Sequence, residues 1–277
     1  MGFRIATNTS AINSIRTLGN TRRALDRSLE HLGSGSRITR AGADAAGLAI
    51  SEALTAQVRG LRQAKRNAQD GISLIQVSEG GLNEVSNIIV RLRELSVQAA
   101  SDTIGDTERK FTDREFQSLK EEVDRIANST EFNGTPLLNG QAGILEFQIG
   151  TRNNPMLDRI VFNGENSNST LASLKLGGEA ISTKLGAQTS LAVLDEAIVQ
   201  VNSIRSDLGA MQNRLQSTIN NLAISDENLS AANSRIRDVD VAEETSELTK
   251  QNILLQAGTS VLAQANMASK LALKLLD

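Results

Sequence analysis

Side chains that ionise, attack or ligate are the natural place to look for an activity, and in this sequence they are sparse. His31 is the sole histidine, and cysteine is absent. One imidazole cannot build a His-based metal site or an H-E-x-x-H helix. Without thiols there is neither a Cys nucleophile nor a thiolate ligand. A Ser-His-Asp relay would need a G-x-S-x-G nucleophile elbow, and none accompanies His31. Near the end of a helical stretch, that imidazole reads instead as a solvated or interfacial group at the negative pole of the helix. Asp238 with Asp240, and Glu243 with Glu244, have the residue types of paired acids. No aromatic sugar platform accompanies them, so they read as a helix cap and a solvated face.

Phosphate chemistry lacks its motif, because no G-x-x-x-x-G-K-[ST] or G-x-G-x-x-G stands between a strand and a helix. Arg59, Arg62, Lys65 and Arg66 cluster largely on one helical face. With no interleaved aromatics and a formal net charge of −3, that face suits solvent or an acidic neighbouring subunit better than nucleic acid. The sequons at Asn8, Asn128, Asn133, Asn168 and Asn228 are short matches that matter only in a host that glycosylates asparagine. The expectation is a chain with no catalytic, cofactor or metal site. No apolar h-region marks a cleaved signal peptide, and no run of about 18 apolar residues marks a membrane span.

What the sequence does carry is periodicity. Leu194, Val201, Leu208, Leu215, Leu222, Leu229 and Ile236 recur every seven residues without a miss. At about 1.5 Å per residue these positions predict a helix roughly 65 Å long with a coiled-coil seam. A second seam runs through Leu54, Leu61, Ala68, Ile75, Leu82 and Ile89, joined by Val85 and Leu92. Gly60, Gly71, Gly80 and Gly81 interrupt it, and Gly71 is read as a point of close helix approach. Between Gly105 and Asn128 a shorter helix is expected. Thr112 and Glu115 form a capping box, Phe111 and Phe116 a staple, and Phe116, Leu119, Val123 and Ile126 an apolar stripe. Residues 130–187 change character: Asn, Gly, Ser and Thr dominate and both prolines occur. Alternation at Leu145, Phe147 and Ile149, and at Ile160 and Phe162, predicts one or two β-hairpins.

The two ends form a third pair. Ile15, Leu18, Leu25, Leu29 and Leu32 face Leu248, Leu255 and Leu262, with Asp240 and Glu243 starting the last helix. Residues 1–40 hold seven Arg against Asp26 and Glu30, and residues 226–247 hold seven acids against Arg235 and Arg237. Opposite charge is therefore expected to favour pairing of the ends. Ala268–Leu276 is amphipathic, with Lys270 and Lys274 on one face, and reads as packed helix rather than membrane-surface helix. The six Phe are unaccompanied by Tyr or Trp, which fits helices packed along seams. The fold class expected is mainly α: an elongated antiparallel coiled-coil rod with paired terminal helices and a small β-hairpin region. Residues 1–43 and 237–277 form the terminal domain, and 44–236 the rod.

The stretches that carry these seams also resemble a known family. GSGSRITRAGADAAGLAI (33–50), GLRQAKRNAQDGISLIQVSEGGLNEV (60–85), VRLRELSVQAAS (90–101), TEFNGTPLLNG (130–140) and RIRDVDVAEETSELTKQNILLQAGTSVLAQAN (235–266) are similar to the signature segments of bacterial flagellins. The resemblance implies a non-enzymatic subunit of the flagellar filament, used for swimming. The terminal helices would form its inner tubes and the next helices its outer tube. It implies export through the flagellar type III apparatus and a flagellar chaperone on the C-terminal helix. Hook-junction and filament-cap proteins would be further partners. Positions matching the contact region for a vertebrate Toll-like receptor are Arg91, Leu95 and Glu122, with Val90 where the family usually has Gln. The alternatives are a hook–filament junction protein and, from another class, a cytosolic coiled-coil scaffold. The absence of H-E-x-x-H removes a flagellin with a zinc-protease insert.

Overall fold

Uninterrupted apolar periodicity with few prolines commits most of the chain to helix. The computed structural model describes residues 7–274, with side chains to residue 267. In order these are α1 (Thr9–Ser34), α2 (Ala45–Ala100), α3 (Asp106–Ser129), β1 (Glu131–Phe132), β2 (Thr135–Pro136), β3 (Ile144–Gln148), the one-turn α4 (Pro155–Asp158), β4 (Arg159–Asn163), α5 (Lys184–Arg237) and α6 (Val241–Lys274). The protein is mainly α, with two small antiparallel strand pairs, as its periodicities predicted.

Two compact units result: Met1–Ala56 with Asn228–Asp277, and Gln57–Glu227. The division falls inside α2 and α5, whereas the sequence pattern put it at 43/44 and 236/237. Side chains tie the first turns of α2 to the last turns of α5 within the terminal unit. Arg237 meets Glu52 at 2.8 Å, and Asn233 donates to Thr55 at 3.2 Å. Backbone bonds add to this, from Arg37 N to Arg237 O (2.7 Å) and from Val239 N to Gly35 O (3.1 Å).

In the larger unit both long seams are dry. Leu61, Ala68, Ile75, Leu82, Val85, Ile89 and Leu92 of α2 are buried with Leu194, Val201, Leu208 and Leu215 of α5. Further along, Leu54, Leu222, Leu229 and Ile236 are half-buried. Three ion pairs mark the antiparallel register of α2 and α5: Arg62–Asp226 (3.0 Å), Arg93–Asp195 (2.7 Å) and Lys184–Asp102 (2.7 Å). Exposed pairs of this kind contribute only ~0–1 kcal/mol each, so burial of the seam sets the register. A Cβ on Gly71 would stand 3.2 Å from Phe147 and 3.3 Å from Leu215, so this glycine admits the β region and α5 to the helix surface. Gly80, by contrast, has nothing within 4 Å.

The start of α3 differs from expectation. It begins at Asp106 after Gly105, six residues before the T-x-x-E pattern. Thr112 lies inside the helix and returns its hydroxyl to Glu108 O at 3.0 Å, and Phe111 is exposed. Asp106 and Glu108 supply the negative first turn that favours this earlier start. Arg109, itself buried, donates to Ala99 O and Ser101 O at 2.8 Å each and caps the end of α2. The expected stripe holds: Phe116 and Val123 are buried, Leu119 and Ile126 partly so.

Two hairpins form, one of them, β3–β4, at the alternating residues that predicted one or two. β3 and β4 pair Leu145 with Phe162 and Phe147 with Ile160. β1 and β2 turn tightly through Asn133 and Gly134, both at positive φ. Residues 168–183 are not strands, however. They form a packed loop whose Leu174, Leu176 and Ile181 enter the core. α3 supplies its polar partners: Asp113 accepts from Ile181 N (2.7 Å), and Lys120 donates to Gly177 O (3.1 Å) and Glu179 O (2.7 Å). Burial pushes the Lys120 ammonium below its ordinary value, against the opposing pull of Glu179 and Asp113.

Urea unfolding of the monomer should separate the two kinds of glycine. Gly80→Ala is expected to stabilise by ~0.5–1 kcal/mol through helix propensity alone. Gly71→Leu should destabilise by ~1–3 kcal/mol, because Phe147 and Leu215 occupy the space. Lys120→Met leaves two loop carbonyls without their donor and should cost about 1–3 kcal/mol. The folded-state value of Lys120 lies below the unfolded one, so the unfolded chain holds the extra proton in the window between them. The stability advantage of wild type over Lys120→Met should therefore widen as pH rises through that window towards the ordinary lysine value. Melts of both proteins between neutral and alkaline pH read this directly.

Candidate assembly interface

The apolar repeat of α1 places Ala11, Leu18, Leu25 and Leu32 on one stripe, with Ser14, Thr21 and Ser28 beside them. In α6 the matching stripe is Leu248, Leu255 and Leu262, flanked by Glu244, Gln251, Gly258 and Ala265. The two helices pair antiparallel. Asn8, which caps α1 by accepting from Ala11 N, donates to Ala265 O at 2.9 Å. Leu18 sits over Gly258, where an added Cβ would lie 2.9 Å from its Cδ1. His31 Nδ1 meets Glu244 Oε2 at 3.3 Å.

This seam is much less dry than those of the larger unit. Leu18, Leu25, Leu32, Leu248, Leu255 and Leu262 are all half-buried. Two isolated helices cover one stripe of each other, and both carry apolar residues beyond that stripe. Ile12, Ile15 (57% exposed) and Leu29 lie along one side of α1. On α6, Ile253 (60%), Leu254, Val261 (52%) and Met267 are exposed. Ile15 was expected in the seam, but three residues before Leu18 it falls on the rim and faces solvent. A groove of about 280 Å³ runs beside the pair, lined among others by Thr17, Leu18, Thr21, Leu254, Gly258 and Val261. Sequence reasoning followed the seven-residue repeats and passed over Leu254 and Val261. The neighbouring runs Ile253–Leu255 and Val261–Leu262 were the available signal, because consecutive apolar residues on a helix cannot share one face.

Charge does not pair the two helices as expected. His31–Glu244 is the one ion pair between α1 and α6 among the described residues. Asp240 caps α6 by accepting from Ala242 N and Glu243 N, and Glu247 bonds Lys250 and Gln251. The arginines at 16, 23 and 27 project from the side of α1 opposite its seam, so they cannot reach α6. The Ala268–Leu276 stretch lies outside the residues whose side chains are described.

The positions matched to receptor contact do not form one surface. Arg91 is exposed and bonds Glu115 and Glu94, each at 2.9 Å. Leu95 is 1% exposed, because it continues the buried stripe of α2. Glu122 pairs with Arg125, whose guanidinium holds the Glu122 carboxyl below its ordinary value. In the basic cluster Arg62 is committed to Asp226, and Arg66 bonds Gln63. No helix among the described residues is long and apolar enough to cross a membrane.

Comparison with known proteins places this arrangement. The bacterial flagellin N-terminal helical region matches residues 5–142, and the C-terminal helical region matches 191–276. A flagellin of Halalkalibacterium halodurans is 45% identical over 269 residues, covering 97% of this chain and 98% of that one. A 33 kDa flagellar filament core protein of Treponema phagedenis is 43% identical over 282 residues, with 97% and 98% covered. The crystal structure of Bacillus cereus flagellin superposes with a TM-score of 0.51 at 31% identity, covering 57% of this chain and 88% of that one. Both family regions, in order and across most of the length, are present: the chain belongs to the bacterial flagellins, and it is a structural subunit of the extracellular flagellar filament rather than an enzyme.

Proposed function

We propose that the α1–α6 pair is the polymerising element of this flagellin, and that it joins neighbours through two different surfaces. One is the edge of α1 formed by Ile12, Ile15 and Leu29. The other is the groove floored by Leu254 and Val261 on α6. The observation that carries this reading is the set of large apolar side chains left exposed on opposite flanks of a half-buried seam. Because the two surfaces differ in residues, their contact is heterologous. A heterologous contact that does not close produces an open helical polymer. The seam residues Leu18, Leu25, Leu32, Leu248, Leu255 and Leu262 then complete their burial in the filament. Leu54, Leu61, Ile75, Leu82, Leu194, Leu208 and Leu215 hold the subunit itself.

The same reading assigns the terminal helices to the inner tubes of the filament and the larger unit to the outer tube. Residues 130–187 would form the outward-facing part. An α6 with apolar residues on several faces needs cover before assembly, which supports a flagellar chaperone on this helix. The same reading has the chain exported through the flagellar type III apparatus, with hook-junction and cap proteins as the partners met at the ends of the filament. A Toll-like receptor would find Arg91 on the surface, while Leu95 would have to leave the core to take part.

Seeded elongation tests the two-surface reading. Ile15→Asp with Leu29→Asp should leave the helical content of the monomer nearly unchanged and abolish polymerisation. Leu254→Asp with Val261→Asp should do the same. Added to wild-type chains on seeds, one of these two variants should dock through its intact surface and stop growth substoichiometrically, and the other should be inert. Equal behaviour of the two variants would show a self-complementary contact and overturn the heterologous arrangement.

A further inference from the structure

Among the described residues none of the four arginines of α1 (Arg16, Arg22, Arg23 and Arg27) has a carboxylate partner. Arg16, Arg23 and Arg27 share the face opposite the seam and are exposed. Arg16 donates to Asn13 Oδ1 at 2.9 Å and Arg23 to Asn20 Oδ1 at 2.6 Å, so amides of the same helix hold the side chains without neutralising them. Asp26 and Glu30 lie within one turn of this ridge, yet neither forms an ion pair with it. Glu30 bonds Arg40 at 3.3 Å instead. Three fixed positive charges on an exposed helix face repel one another and gain from an external anion.

The same unit holds a surplus of the opposite sign. Between α5 and the first turn of α6 stand Asp238, Asp240 and Glu243. Asp240 is occupied as the cap of α6. Asp238 and Glu243 are exposed and have no basic partner among the described residues. The cationic ridge and this acidic turn sit in one compact unit without meeting in one chain, which is the pattern of a contact made between chains. We propose that the ridge Arg16–Arg23–Arg27 of one subunit receives the acidic turn Asp238–Glu243 of a second copy. The contact acts chiefly on docking rate and register. This rests on the assignment of the α1–α6 pair as the polymerising element and adds to it an electrostatic selector separate from the apolar edge and groove. Arginine suits the role because its guanidinium stays charged at every physiological pH and takes carboxylates bidentately.

The full-length chain tests this in seeded elongation followed by light scattering, with electron microscopy of the products. Arg16→Gln, Arg23→Gln and Arg27→Gln together keep good helix formers and remove no ion pair, and circular dichroism of the monomer checks that folding is unchanged. Near about 0.1 M salt the triple variant should elongate at least ~10-fold more slowly than wild type. Near about 1 M salt, where the screening length has fallen from ~10 Å to ~3 Å, the two rates should converge. Arg16→Glu, Arg23→Glu and Arg27→Glu together should be slower still, and adding Asp238→Arg with Glu243→Arg in the same chain should recover most of the loss. If wild type polymerises and the triple variant matches it at low salt, the ridge has no such role. A salt-independent defect, or a reversal that the second pair of substitutions fails to rescue, also overturns the charge contact. If instead the triple variant polymerises normally but loses binding to anionic phospholipid vesicles, the ridge serves a lipid surface and the proposal is wrong. Failure of wild type itself to elongate on seeds would count against the polymerising assignment and not specifically against the ridge.

Discussion

Two helices packed against each other can cover only one stripe of each. That limit governs the terminal unit of this protein. α1 and α6 both carry apolar residues outside their shared stripe, so pairing leaves Ile12, Ile15, Leu29, Leu254 and Val261 in water. The larger unit escapes the limit because α2 and α5 are joined by α3, two hairpins and a packed loop. There the same kind of seven-residue repeat becomes fully dry, with Ile75, Leu82, Leu194 and Val201 all at 0% exposure. The difference between a finished core and an unfinished one therefore lies in the number of layers around each seam rather than in the seam's own sequence.

Composition reinforces the contrast. The positions beside the leucines of α1 are Ser14, Thr21 and Ser28, and those of α6 include Gln251 and Gly258. These small or polar residues contribute little apolar area, so the intrachain pair gains less per turn than the α2–α5 seam does. They also keep the helices close: Leu18 reaches into the space that Gly258 leaves open. The pair is thus specific in register and modest in stability. A helix hairpin of that kind is marginal in water unless further burial is supplied from outside.

Much of this architecture could be read from residues. Both long seams, the stripe of α3, the β3–β4 hairpin and the start of α6 at Asp240 follow from periodicity, alternation and capping chemistry. The failures have identifiable physical origins. Thr112-x-x-Glu115 has the spacing of a capping box, but the pattern is indifferent to whether helix already exists upstream. Gly105 followed by Asp106 and Glu108 was the competing start signal, and it won. Residues 168–183 lack any period because their backbone is satisfied by Asp113, Lys120 and Asp124 of α3 and not by a ladder. Leu95, named through a resemblance rather than a period, is buried because it continues the apolar stripe of α2 beyond Leu92.

Net charge was the most misleading of the sequence signals. Seven arginines near one end and seven acids near the other suggest that the ends hold each other electrostatically. The helical phase of each residue decides otherwise. Arg16, Arg23 and Arg27 lie at seven- and four-residue steps, which put them on the side away from α6. Among the described residues only His31 meets an acid across the seam. A polymer subunit has reason to keep its charges this way. Ion pairs completed within the chain would leave nothing to distinguish a correctly placed neighbour from a misplaced one. In the proposed assembly, charges left unmatched in the monomer would penalise wrong juxtapositions and reward the right one, while burial of the exposed apolar edges would supply the free energy.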